Sequence, residues 1–142
     1  MKRILIAVAV ALGLAAAQSD AAELKKLVVK CIEKAEATPD DVYLEFVRDG
    51  ELVSLPDDGQ AGTAKDNSFS MKNGATLTLD SATLSKLAFT KSLTIRIKDK
   101  DVTTEEVLGE MNLAPGDVSN TYVTKGKDVG EFEYHVDYAT TK

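Results

Sequence analysis

The chain has 142 residues, 44% of them hydrophobic, which is enough for one domain with a single core and too short for two. Its 17 Lys and Arg stand against 23 Asp and Glu, a formal net charge of −6, so charge alone draws it neither to a phosphate backbone nor to an anionic bilayer, which sets aside nucleic acid and a polybasic lipid patch. With Cys31 as the only cysteine, no intrachain disulfide can form.

Lys2 and Arg3 precede an apolar run from Ile4 to Ala17 that ends in small residues, with Ala15 and Ala17 in the A-x-A positions of a signal-peptidase site. The run is 14 residues long, shorter than the ~20 a helix needs to span a bilayer. The expectation is a cleaved signal peptide over residues 1–17, a single domain over 18–142, and a secreted or periplasmic location. A cut slightly later, near Ala21 or Ala22, fits the same small-residue pattern. Loss of Lys2 and Arg3 leaves 15 basic against 23 acidic residues, a net charge of −8.

Leu24 to Ile32 reads as the opening strand, with Leu27, Val29 and Cys31 on one face. Glu33 to Asp40 has helical composition at first but is stopped by Pro39 and reads as a loop. Val42 to Arg48 alternates, placing Val42, Leu44 and Phe46 together. Asp49-Gly50 then marks a type I′ hairpin, because both residues tolerate positive φ, and Glu51 to Leu55 should return antiparallel. Pro56 to Asp66 carries turn formers and no apolar period, which predicts a surface loop. Ser68 to Met71 is a short strand, Asn73-Gly74 a tight turn, and Thr76 to Leu79 a further strand. Asp80 to Thr90 alone shows helical spacing, with Leu84, Leu87 and Ala88 on one side and Asp80 or Ser81 as N-cap. Asn120 to Val123 is a weak strand. Glu131 to Ala139 is a strong one, with Phe132, Tyr134, Val136 and Tyr138 facing one way.

The most informative stretch is Ser92 to Leu113. Leu93, Ile95 and Ile97 alternate with Thr94, Arg96 and Lys98, a strand with one buried face. Asp99, Asp101, Glu105 and Glu106 follow within eight residues. Apolar alternation then resumes at Val107, Gly109, Met111 and Leu113. Four carboxylates at one loop repel each other unless they are fully solvated or share a cation. A hard ion such as calcium suits them, since it takes six to eight oxygen ligands. Short strands separated by turn signals give an all-β fold, an antiparallel eight-stranded β-sandwich.

The alternating strand, Asp99-Lys100-Asp101, the polar loop, Glu106 and Val107-Leu108-Gly109-Glu110 together resemble the third calcium-binding loop of a C2 domain. Pro39 to Phe46 is similar to the strand that opens Ser-Asp-Pro-Tyr-Val in that family, with Asp41 in the acidic position. Gly74 to Leu79 and Gly130 to Glu133 resemble two further strands, so the likeness runs from about Leu24 to Tyr138. It implies a C2-like sandwich, a weak calcium site at Asp41, Asp99, Asp101 and Glu106, and, through the ion, phospholipid headgroups or an acidic partner. The fifth acidic residue of the family's pattern has no counterpart. Val102, Ala35 and Ala37 at the expected loop tips are small wedges for a membrane, and Lys65 and Lys72 stand apart where the family carries a basic patch.

The competing reading of Asp99, Asp101 and Glu106 is a solvated polar turn, and of the whole chain a calcium-independent β-sandwich that binds another envelope protein by an edge strand or flat face. His135, the only histidine, lies on a polar face without a second His or a Cys and reads as a surface residue. The aromatics Phe46, Phe69, Phe132, Tyr134 and Tyr138 fall at strand spacing and read as core. No spacing supports a nucleophile, a phosphate loop or a carboxylate pair for hydrolysis, so neither an enzyme nor a small-molecule substrate is expected.

Overall fold

The computed structural model describes residues 21–35, 37–100, 105–126 and 131–141; residues 1–17, expected to be a signal segment, lie outside them. The strands are β1 (Glu23–Glu33), β2 (Asp40–Arg48), β3 (Glu51–Val53), β4 (Phe69–Met71), β5 (Thr76–Thr78), β6 (Leu93–Lys100), β7 (Glu105–Leu113), β8 (Val118–Gly126) and β9 (Phe132–Thr141), with one short helix, α1 (Ser81–Ser85). One antiparallel sheet runs β5-β1-β9-β8 and the other β3-β2-β6-β7, with β4 also on β2. The fold is the antiparallel β-sandwich the sequence predicts. Among the described residues there are nine strands rather than eight, because the turn formers between 49 and 79 divide the chain into three-residue pieces, β3, β4 and β5, that serve two different sheets.

Alternation decides what lies between the sheets. Leu27, Val29 and Cys31 of β1 and Tyr134 and Val136 of β9 are fully buried, facing Val42, Leu44 and Phe46 of β2 and Leu93, Ile95 and Ile97 of β6. On the outward face of β2 and β6, Arg96 bridges Glu45 (2.8 Å) and Glu110 (2.7 Å). Among the described residues, the core begins just ahead of β1. Ala22 is wholly buried and exchanges two backbone hydrogen bonds with Phe89, 2.7 Å from its N–H and 3.0 Å to its carbonyl.

Asp49 and Gly50 adopt φ of 52° and 88° between β2 and β3, and Arg48 pairs with Glu51, the geometry of a type I′ hairpin. The Asp49 carboxylate also accepts backbone N–H bonds from Lys91 (2.6 Å) and Ser92 (3.0 Å) and from Thr90. These bonds, Ser92 first, hold its pKa well below the usual carboxylate range. Asp80 caps α1 by accepting from the Thr83 amide at 2.7 Å, which satisfies one of the donors a helix start leaves open.

Three expectations are corrected. Pro56 to Asp66 is not wholly a surface loop: Gly62 and Thr63 are buried, and the Gly62 carbonyl accepts the Leu44 amide at 2.7 Å. It fills the gap along β2 between β3, which pairs with residues 46–48, and β4, which pairs with 40–42. A Cβ on Gly62, at φ +85°, would meet a Leu77 methyl at 2.5 Å. Val107 is not a core residue. A register shift moves the β6–β7 pairing from Ile97↔Gly109 to Lys98↔Val107, so Leu108 is a bulged extra residue. Leu108 turns into the core at 2% exposure and Val107 outward at 54%. Thr124 of the facing sheet closes the bulge, its hydroxyl donating to the Leu108 carbonyl at 2.5 Å. Finally, Ala35 is not a loop tip but is buried against the core.

Candidate functional site at the acidic end of the sandwich

Antiparallel pairing brings the end of β1, the start of β2, the end of β6, the start of β7, the end of β8 and the start of β9 to one end of the sandwich. Val42 is in register with Asp99, and the Asp41 amide donates to Asp99 Oδ1 at 3.1 Å. The Pro39 to Asp41 segment and the acidic stretch therefore share that end, as the sequence predicts.

Asp99 does not begin a loop. The strand continues to Lys100, and Asp99 keeps the parity of Leu93, Ile95 and Ile97, so its side chain is turned inward at 5% exposure. Glu106 is its register partner on β7 and is half-buried. Directly opposed residues share a face of the sheet with Cβ atoms about 4.5–5.5 Å apart, so two carboxylates stand side by side at the inner lip of the sandwich. Asp41 has the opposite parity and is exposed; its main chain, not its carboxylate, meets Asp99. Asp101 lies outside the described residues. Among the described residues, no three of His, Cys, Asp and Glu gather closely enough to hold a metal ion.

Asp40 is the residue that sequence reasoning missed. It shares the parity of Val42, Leu44 and Phe46, and that alternation was the available signal: the inward acid at the start of β2 is Asp40 and not Asp41. It is 2% exposed. Its Oδ2 accepts from the Tyr134 hydroxyl (2.5 Å) and the Ala35 amide (2.9 Å), tying the β1–β2 loop to the opposite sheet. Its Oδ1 is buried with no hydrogen-bond partner among the described residues. Burial, then the Asp40 carboxylate, pushes the Tyr134 hydroxyl far above its ordinary pKa, and burial raises the Cys31 thiol beside it.

On β8 and β9 at the same end, His135 Nε2 lies 2.6 Å from Glu133, whose other oxygen is 3.1 Å from Lys125. His135 and then Lys125 hold the Glu133 carboxyl below its ordinary range. This trio is a surface ion-pair cluster in which the imidazole is engaged. On the outer face of the β2 sheet, Tyr43, Leu52, Leu55, Pro56, Thr63 and Lys65 line a shallow groove of about 520 Å³, with Leu52 62% exposed. No helix among the described residues is long and apolar enough to cross a membrane.

No protein-family model matches the chain, and no curated protein matches it. It is similar to a solved structure described as "Structure of a C2 domain", with 11% sequence identity, coverage of 84% of this chain and 97% of that one, and a TM-score of 0.42.

Proposed function

We propose that the protein is a secreted, non-catalytic C2-like module whose acidic end binds calcium weakly and, through the ion, phospholipid headgroups or an acidic partner. The observation that carries this reading is the cross-strand pair Asp99 and Glu106, two carboxylates in register on the inner face, with Asp101 two residues beyond Asp99 in the sequence. Like charges directly opposed in a sheet are destabilising, and a divalent cation between them converts that repulsion into attraction. The donor set is all oxygen, which suits calcium rather than zinc or copper, and the buried Oδ1 of Asp40 adds an oxygen without a partner among the described residues at the same end. Asp99, Glu106 and Asp101 would hold the ion, with Asp41 at the rim. Since the described residues supply no complete set of three, a ligand from residues 101–104 is required. Extracellular modules work at dissociation constants of about 0.1–1 mM, so, with that ligand added, a set short of calcium's full six to eight protein oxygens suffices.

Thermal melting tests the reading. Calcium at ten times its dissociation constant should stabilise the fold by about 1.4 kcal/mol, raising Tm by roughly 3–6 °C, and magnesium at matched ionic strength should do much less because it holds its waters in a stricter octahedron. Asp99→Asn keeps an oxygen for the Asp41 amide and should abolish the calcium-specific shift without lowering the metal-free Tm. Equal small shifts with both ions, in both proteins, would leave only screening of surface charge.

A second reading, a calcium-independent interaction domain of the cell envelope, is favoured by the groove beside Leu52, since an exposed apolar side chain set in a concave surface suits a protein partner. Leu52→Asp should abolish partner capture there and leave a calcium response unchanged.

A further inference from the structure

A sheet edge is a row of backbone groups able to pair with another strand, and proteins blunt such edges by shortness, bulges or charges. Three of the edges here carry one of these devices. β5, and β3 and β4 along β2, are three residues each. β7 is nine residues long but has the bulge at Leu108 and the acids Glu105, Glu106 and Glu110. β8 is also nine residues long, and its pairing with β9 runs from Val118↔Thr140 to Gly126↔Phe132 without a register shift. It has no proline, its Val, Thr and Tyr favour strands, and its one charge, Lys125, stands near its end rather than in its middle. Among the described residues no strand pairs with its outer side, and Val118 and Val123 are 43% and 44% exposed.

The charges along this edge are complementary to themselves. Asp117 directly precedes β8 and continues the parity of Ser119, Thr121, Val123 and Lys125. That is the outward face, since the β9 partners His135 and Asp137 alternate with the buried Tyr134 and Val136. Asp117 and Lys125 lie four residues on either side of Thr121. We propose that β8 is a homodimerisation edge, pairing antiparallel with β8 of a second copy about a two-fold axis at Thr121 and joining two four-stranded sheets into one. This register sets Lys125 of each copy opposite Asp117 of the other, Val123 opposite Ser119, and Thr121 opposite Thr121. Opposite charges and Thr–Thr pairs across strands are both favourable, and the two-fold makes each unlike contact twice. The Thr121 amide donates to the Asn120 side chain at 2.8 Å, a local bond that a carbonyl of the incoming strand replaces. Two edge strands bury less surface than a permanent interface, so the dimer is weak and forms as concentration rises. It does not depend on the calcium reading.

Protein produced from the full-length sequence is weighed by sedimentation from micromolar to millimolar concentration. The mass should climb from one chain toward two. A wild type that stays monomeric throughout overturns the proposal and leaves the edge to a strand of another protein. Asp117→Lys places lysines opposite each other at both ends of the pairing, and Lys125→Glu places acids there, so each variant alone should dimerise at least about tenfold more weakly. Mixed in equal amounts, the two variants restore opposite charges at both ends, and the mass should return to that of a dimer. Single variants that dimerise as wild type does, or a mixture that stays monomeric, overturn the register. Amide exchange in the wild type gives a readout that does not rely on the variants folding. Raising the concentration should slow exchange in β8 and leave β5 and β7 unchanged; slowing confined to any other element overturns the choice of edge.

Discussion

Replacing Tyr134 by phenylalanine removes one oxygen from a fully buried side chain and leaves the ring in place. That oxygen donates to Asp40 Oδ2, which among the described residues otherwise keeps only the Ala35 amide, and Asp40 is 2% exposed. A hydrogen bond to a charged group contributes about 1.5–3 kcal/mol, and the loss is felt in full where water cannot replace the donor. Tyr134→Phe should therefore destabilise the fold by about 2 kcal/mol, lowering Tm by roughly 5–10 °C in a domain of this size. The cost should be coupled to its partner. In an Asp40→Asn background the acceptor is neutral, and Tyr134→Phe should cost less than half as much, a double-mutant cycle readable by urea denaturation. A Tyr134→Phe protein that melts within 2 °C of wild type, with no coupling to Asp40, would refute the idea that this bond ties the sheets together.

Three other outcomes follow from the same structure. Gly109→Ala would place a Cβ 2.8–3.0 Å from three side-chain atoms of Thr124, so it should destabilise by about 1–3 kcal/mol, and adding Thr124→Ala should restore part of the loss by opening that space, as measured by Tm. Stability should fall above pH 9 in alkaline melts: Cys31 and Tyr134 have folded pKa values raised above their ordinary 9.0 and 10.0, so the unfolded chain releases their protons first. Tyr134→Phe should make that fall shallower. Asp49 behaves in the opposite sense; its folded pKa is lowered by the amides of Ser92, Lys91 and Thr90, so its contribution is present above the ordinary carboxylate range and lost as pH drops below it. Asp49→Asn, which still tolerates φ of 52°, should flatten the acid limb of a Tm-versus-pH curve.

Strand parity made most of the fold legible. Leu27, Val29 and Cys31, then Val42, Leu44 and Phe46, then Leu93, Ile95 and Ile97 all alternate in the sequence and all lie in the core. Asp49-Gly50 announced its turn through residues that tolerate positive φ. The errors came where contacts distant in sequence overrule the local pattern. Val107 continues an alternation that the bulge at Leu108 breaks, and the bulge depends on Thr124 in another strand. Gly62 sits among turn formers yet completes the hydrogen bonding of Leu44, a role no window around residue 62 could reveal. At the acidic end the resemblance pointed to Asp41, while parity pointed to Asp40, and the buried carboxylate is Asp40. Asp99 was correctly placed at that end but expected in the loop, because acidic residues read as polar turn when the strand that carries them inward is not yet known.

The patchwork along β2 bears on how this protein resists joining with others. A second chain that adds to a sheet needs a run of about five or six free backbone positions in one line. On the side of β2 away from β6, those positions are occupied in turn by β3, by the Gly62 carbonyl and by β4, three segments separated by loops and able to open independently. Fluctuation of any one exposes only two or three residues of β2, too short a stretch to template an incoming strand. A single long covering strand would expose the whole line when it peeled away, whereas here a nick in the loop between Pro56 and Gly62 would release at most part of the cover.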